Sequence, residues 1–381
     1  MTDSKPHMDE YTTRTAAHVQ LKRSELNVGY QCFTITQGRL IAAPGPKYNI
    51  PQTHNKPYGI PTAHMAQMQA SGPPYASRNA GVGGLPEVIP DIPISAVFLV
   101  LYLTSAVTNM TILQINLRRQ HKFIISGALF GFSMSRIITF ILRIVWALHQ
   151  HNVRLAIAAN IFVNAGVLVV YVVNLIFAQR ILRSRQPTLG WHPIISTILK
   201  VFYGGVGVSL ILVIYSVVQG AYTLDPNLLR ITRDIQLAAT TYLLVFTTLP
   251  IWLQVAAHFV LPKSADAEKF GYGSHRAKVA INVLSTCICI TIAGFKAGTA
   301  WQTPRPVTNP AWYHSKPAFY VFSFVLELLV LAILVLSRID KRFHIPNGSK
   351  GPGDYSRRPS PNDSATTTME KGESSSEQSD R

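Results

Sequence analysis

The chain predicts an all-α membrane protein, a seven-transmembrane helix bundle flanked by disordered tails. Long apolar runs recur seven times on short polar connections. Charged residues make up 14% of the chain against a hydrophobic share of 48%, where soluble chains carry roughly 25% charged residues. Lys and Arg gather in the segments between the runs. A hydrocarbon core of about 30 Å takes about 20 apolar residues per helix. A buried soluble helix imitates one such run, but a succession of seven has no soluble counterpart.

In chain order the runs extend from Ile92 to Ile115, Phe123 to Leu148, Leu155 to Ala178, Ile194 to Gly220, Ile235 to Leu261, Ala277 to Ala300 and Ala318 to Leu336. The second carries Arg136 and, two helical turns along the same face, Arg143. The third carries Asn160, Asn164, Tyr171 and Asn174, whose spacing places them along one helical stripe. That stripe reads as interhelical glue or as part of a pocket. In the fourth, Gly204, Gly205 and Gly207 permit close helix approach. In the fifth, Pro250 should kink the helix, with Gln254 and His258 beyond it. Lys296 lies about a turn from the end of the sixth, where snorkelling to the interface accounts for it.

The seventh run contains "SFVLELLVL", with Glu327 at its centre. A charge at that depth costs about 2.5–3.5 kcal/mol on insertion scales and should face the bundle interior with a partner. Arginine keeps its proton, so Arg136 needs an acceptor, and Glu327 is the carboxylate at comparable depth in the runs as delimited. The expectation is an intramembrane Arg136–Glu327 pair, either fixing helix register or serving a site.

Orientation follows from the basic residues. Arg118, Arg119, Lys122, Arg180, Arg183, Arg185, Lys263, Lys269, Arg276, Lys278, Arg338, Lys341 and Arg342 fall on one side, and Arg154, Arg230, Arg233, Arg305 and Lys316 on the other. The richer side should be cytoplasmic, with the N-terminus out and the C-terminus in. Trp191, Trp301, Trp312 and Tyr313 sit near span ends as an aromatic belt would.

The domain expectation is a disordered tail over 1–91, a seven-helix domain over 92–338, and a Ser-rich cytoplasmic tail over 339–381. Met65 and Met68 precede the span region closely, so residues 1–64 read as dispensable or as a gene-model extension. The tail motif "RRPSP" makes Ser360 a candidate phosphosite.

Several classes are disfavoured. The net charge of +17 is dispersed in short clusters without a continuous basic face, which argues against nucleic acid. Cys32, Cys287 and Cys289 form no disulfide framework or metal spacing, and the His149–His151 run lacks a third ligand. No hydrolase, nucleotide or metalloprotease motif is present. The expectation is a non-catalytic protein without cofactor or metal.

Two segments carry a resemblance: "SGPPYASRNAGVGGLPEVIPDIPISAVFLVLY", leading into the first span, and "NPAWYHSKPAFYVFSFVLELLVLAILVLSRIDKRFHIPNGSKGPGDY" around the last. With seven spans, they resemble a filamentous-fungal family of integral membrane proteins with a domain of unknown function, sometimes labelled G-protein-coupled-receptor-like. A looser likeness, in topology and the acidic residue of the last span, is to fungal lipid-translocating exporters. Neither assigns functional residues. The functional expectation is a receptor-like heptahelical protein of the plasma membrane. Its partners would be membrane lipids and a cytoplasmic signalling protein at the basic loops and tail. The alternatives are a lipid or small-molecule translocator and a membrane scaffold.

Overall fold

The computed structural model describes residues 34–36, 39–41, 72–119, 121–260, 264, 267–349 and 351–356. Within the unit Met1–Lys56, Thr34–Thr36 pairs antiparallel with Arg39–Ile41. The proposed start at Met65 or Met68 and the phosphosite Ser360 lie outside the described residues.

The unit Pro57–Arg381 holds seven helices long and apolar enough to cross a membrane: α1 Val88–Arg118, α2 Ile125–Leu148, α3 Val153–Arg185, α4 Pro193–Tyr222, α5 Pro226–His258, α6 His275–Trp301 and α7 Lys316–Leu336. Their starts follow from local chemistry. Asn152, Asp225, Ser274 and Ser315 each accept a backbone N–H of the first turn of α3, α5, α6 and α7. Pro193, Pro226 and Pro317 stand in first turns, where a missing N–H costs nothing.

Packing runs α1 on α2, α4 on α5 and α5 on α6, with α3 against α5 and α6, and α7 against α6. The distribution of polarity inverts that of a soluble protein. Val97, Val100 and Val107 of α1, Val201 and Ile211 of α4 and Trp252 of α5 are exposed. Arg136, Ser133, Asn174, Asn282, Thr286 and Glu327 are buried at 1% exposure or less. An exterior this apolar, around a core that holds charged and amide side chains among its apolar ones, suits hydrocarbon surroundings, where each helix satisfies its own backbone. The chain is a multi-pass integral membrane protein.

Several boundaries differ from the sequence expectation. The first run is expected to start at Ile92, yet α1 begins at Val88, with Ile89 extended and Pro93 inside the first regular turns. Proline there replaces N–H groups that have no helical acceptor, so the helix tolerates it. Asp91 is thereby placed inside α1 and buried. Helix α5 starts at Pro226 rather than Ile235, since the Asp225 cap holds a polar first part whose Arg230 and Asp234 stay exposed. Helical bonding continues through Pro250, and the irregularity falls later, in a π turn at Ala256–Val260. Its Ala257 carbonyl accepts Arg185 Nε at 2.7 Å.

Neither tail is wholly a tail. Residues 72–91 form an ordered lead-in, with the Gly83 carbonyl accepting from Arg143 and Val82 packed on the core. Beyond α7, a short helix Ile339–Arg342 and the residues to Ser356 fold back over one end of the bundle. Phe343 stacks on Phe177 at 4.2 Å, and Arg180 donates to its carbonyl. Tyr355 meets Trp191 and Phe270, while Glu268 accepts the N–H groups of Gly353 and Tyr355. Low-complexity composition concealed these few large apolar anchors.

Candidate functional site

The deepest polar feature joins α2, α3, α6 and α7. Arg136 Nε donates to Glu327 Oε2 at 2.6 Å and Nη2 to Oε1 at 2.7 Å, a two-pronged contact that matches guanidinium to carboxylate. Exposure is 0% for Arg136 and 1% for Glu327. The rings of Phe132 and Phe324 flank the guanidinium at 5.3 and 5.5 Å. Around them Phe98, Tyr102, Phe140, Phe319 and Tyr320 form an aromatic packing of α1, α2 and α7. This wall excludes water from the pair and strengthens its attraction.

Two backbone irregularities serve the pair. Helix α3 is interrupted between Ala165 and Leu168. The Phe162 and Val163 carbonyls accept Arg136 Nη1 at 2.9 and 3.1 Å, and Lys296 Nζ also donates to the Val163 carbonyl, at 3.1 Å. Val163 thus gives the two cations the carbonyl that regular helix would bond to the N–H four residues on, while the Phe162 carbonyl keeps a long 3.5 Å bond from the Gly166 N–H beside the one from Arg136. Gly166 permits it, since a Cβ there would stand 2.9 Å from Ser135 Oγ and 3.1 Å from Arg136 Cζ. Helix α7 carries a π turn at Val321–Val325, immediately before Glu327. Its Phe324 carbonyl accepts the Tyr102 hydroxyl at 3.1 Å.

Lys296 also lines a cavity of ≈ 40 Å³ between α3, α4, α5 and α6. The remaining walls are mostly apolar, from Val167, Leu168, Leu210, Val213 and Leu243, with Asn164, Gln236 and Thr240 as polar points. Tyr171 lies on the same wall at 2% exposure, and its hydroxyl has no partner. Arg136, Lys296 and Glu327 together give this region one more positive charge than negative.

A second cluster occupies the end of the bundle near the α6–α7 connection. Asp91 Oδ1 accepts the Tyr320 hydroxyl at 2.5 Å and lies 3.3 Å from Arg143 Nη2, while Oδ2 lies 2.6 Å from Lys316 Nζ. The Glu87 N–H donates to the same carboxylate at 2.8 Å, and the Phe319 ring stacks 4.2 Å from the Arg143 guanidinium.

The expected residues therefore divide. Arg136 and Glu327 meet. Arg143 lies on the face of Arg136 but pairs with Asp91. The third-span stripe is split by the α3 break: Asn160 is exposed, with its carbonyl bonded to Asn164 Nδ2, and Asn164 and Tyr171 border the cavity. Asn174 donates to Cys289 Sγ at 3.2 Å. With the Asn282 amide oriented to donate to Asn174, its oxygen accepts from Gln254 at 2.9 Å. Lys296 does not snorkel; it turns inward because the Val163 carbonyl is within reach. Of the three α4 glycines, only Gly205 faces a neighbour, Tyr242, whose hydroxyl donates to the Phe202 carbonyl at 2.8 Å. Among the described residues no group of three or more His, Cys, Asp or Glu side chains is arranged to hold a metal.

Sequence reasoning missed Asp91, Tyr320 and Lys316. A signal existed: Asp91 and Arg143 are opposite charges near the same end of consecutive spans, but the first run was delimited one residue too late.

Residues 271–344 match a family model described as a protein of unknown function, DUF3112. The matched segment covers α6, its connection to α7, α7 and the short helix beyond. It includes Lys296 and Glu327 but not Arg136. No curated protein and no solved structure gave a match.

Proposed function

We propose that this is a receptor-like heptahelical protein whose ligand site is the α3–α6 cavity and whose transmitting element is the Arg136–Glu327 pair. The observation that carries this reading is one shared acceptor: the Val163 carbonyl bonds Lys296 on the cavity wall and Arg136 in the pair. A ligand that engages Lys296 changes what the carbonyl offers Arg136, and hence the hold of α2 and α3 on α7. The excess positive charge and the orphan Tyr171 hydroxyl favour a ligand with an acceptor or anionic end. Since ≈ 40 Å³ is well below the roughly 300–1,000 Å³ of preformed ligand pockets, anything larger than a few atoms must part the helices on entry. In this reading the N-terminus is outside and the C-terminus inside, the membrane is the plasma membrane, and the basic inner loops meet a cytoplasmic partner. The protein performs no catalysis.

The test is small-molecule mass spectrometry of wild type and Lys296→Met purified in parallel. A species retained by wild type and lost from the folded variant supports the site. Identical contents in the two refute it.

One observation favours a translocator instead. A helix interrupted within the bundle, with its carbonyls turned to charged groups, is the construction by which transporters expose backbone inside a membrane. Flux of the retained species across reconstituted vesicles, abolished in Arg136→Met, would establish that reading over the receptor one.

A further inference from the structure

Where α1 and α7 end on the same side, a second cavity of ≈ 460 Å³ opens. Its walls come from the end of α1 (Asn116, Arg119, His121), the lead-in to α6 (Gly271, Tyr272) and the segment after α7 (Asp340, Lys341, His344). The segments are tied together by the Tyr272 N–H on the Lys341 carbonyl at 2.9 Å and the Lys122 N–H on Asn347 Oδ1 at 3.3 Å.

The donors and acceptors in this cavity do not balance. Asn116 is 8% exposed, and its Nδ2 has no hydrogen-bond partner. His344 Nε2 is likewise buried without one, its ring lying 4.5 Å from that of His121. Buried amide donors are almost always satisfied, so an orphan on a cavity wall marks an absent acceptor. The acceptors present are engaged elsewhere. Asp340 is gripped by Arg338 through both carboxylate oxygens at 3.2 Å, and the Asn116 carbonyl accepts the N–H groups of Arg119 and His121. That capping also removes much of the negative field a helix C-terminus presents. Arg119 and Lys341, both exposed, add two positive charges, and the carboxylate on the wall, Asp340, is already paired with Arg338.

We infer that this cavity binds a phosphate-bearing anion, with Arg119 and Lys341 as the charged clamp and the Asn116 amide as the fixed donor. The cavity's volume suits a headgroup-sized ligand. It lies at a span end, where basic pockets meet anionic headgroups. A lipid headgroup and a free phosphate share this chemistry. The site is separate from the α3–α6 cavity and stands whether or not the receptor reading does.

The experiment uses the full chain in phosphatidylcholine nanodiscs. The probes are a short-chain phosphatidylinositol phosphate, inorganic phosphate, and short-chain phosphatidylcholine as control. Two measurements are made: saturation binding, and hydrogen exchange over residues 116–122 and 338–344. Saturable binding of the phosphoinositide with protection of both segments is expected. Arg119→Gln/Lys341→Gln should weaken binding by roughly tenfold or more, and Arg119→Lys/Lys341→Arg should restore most of it. If inorganic phosphate protects both segments as fully as the phosphoinositide, the site takes a soluble anion; if only the lipid does, it takes a headgroup. Protection by phosphatidylcholine equal to that by the phosphoinositide overturns the proposal, as does unchanged affinity in the charge-removing variant. Exchange in wild type decides the matter even if a variant fails to fold.

Discussion

Removing Arg136 should be among the most damaging single changes in the bundle, and its cost can be worked from its contacts. Arg136→Ala strips Glu327 of both guanidinium bonds, and breaking a buried pair on one side costs about 3–5 kcal/mol. It also leaves the Phe162 carbonyl with only the long 3.5 Å bond from the Gly166 N–H, a further loss of about 0.5–1.5 kcal/mol. A cavity remains as well where the largest fully buried side chain stood. These contributions do not simply add, but roughly 5 kcal/mol or more is expected. Glu327→Gln should cost less, about 2–4 kcal/mol, because the amide oxygen still accepts one guanidinium N–H and both backbone bonds to Nη1 remain. Replacing both residues by leucine removes the uncompensated charge, while Lys296 keeps the Val163 carbonyl satisfied. About 0.5–1.5 kcal/mol should then remain for Phe162. The coupling in the closed cycle of wild type, Arg136→Leu, Glu327→Leu and the double leucine variant should therefore exceed about 2 kcal/mol. The competing expectation is about 0.6 kcal/mol, the average for interhelical hydrogen bonds when unfolded helices in the membrane find other partners. The assay is reversible unfolding of these proteins in one lipid or detergent. A coupling near the lower figure, or Glu327→Gln costing as much as Arg136→Ala, refutes the reasoning.

Gly166→Ala should destabilise by about 1–3 kcal/mol, since the new methyl must displace Ser135 or the Arg136 guanidinium, and thermal unfolding reads the loss. Gly271→Ala should loosen the segment after α7, because Gly271 has φ +53° and its Cβ would collide with the Arg342 carbonyl; faster tryptic cleavage around Arg338–Arg342 is the check. Burial, with His121 and Arg180 adding to it, holds the His344 imidazole below its ordinary 6.5. The unfolded chain therefore takes up the proton first as pH falls. This end of the bundle should keep its full stability above about pH 6.5 and lose it progressively below, as hydrogen exchange over residues 338–344 quickens. His344→Gln should flatten that response, whereas the similarly lowered His314 lies on a different connection and should not affect this segment.

The spans and the Arg136–Glu327 contact were legible because membrane burial makes each charge conspicuous. An isolated arginine and an isolated glutamate in apolar runs each need a partner. The role of Lys296 was not legible, because snorkelling and inward bonding differ only in what lies within reach of the ammonium. The break in α3 had no local signal beyond Gly166, since the cations bonded to its carbonyls come from α2 and α6. The Asp91 cluster was lost because the first apolar run reads from Ile92, although α1 starts at Val88 and accommodates Pro93 in its first turns. The folded-back segment after α7 was hidden for a different reason. Its anchors, Phe343 and Tyr355, are single aromatics in polar sequence, and periodicity cannot register a lone residue.

That segment bears on the order of assembly. Translation delivers α7 and then residues 339–356 after every other helix has been made. Until they emerge, Phe177 and Phe270 lack Phe343, Glu268 lacks its two amide partners, and Arg180 has no carbonyl to hold. A nascent chain carrying all seven spans therefore still has an open end exposing aromatic surface and unpaired charge to the side on which it is synthesised, given the C-in orientation proposed above. Completion of this end therefore comes after all seven spans have been made, even if the spans pack as they insert. A chaperone or quality-control factor that reads unburied aromatics has a defined interval in which to act, and it ends when Phe343 seats.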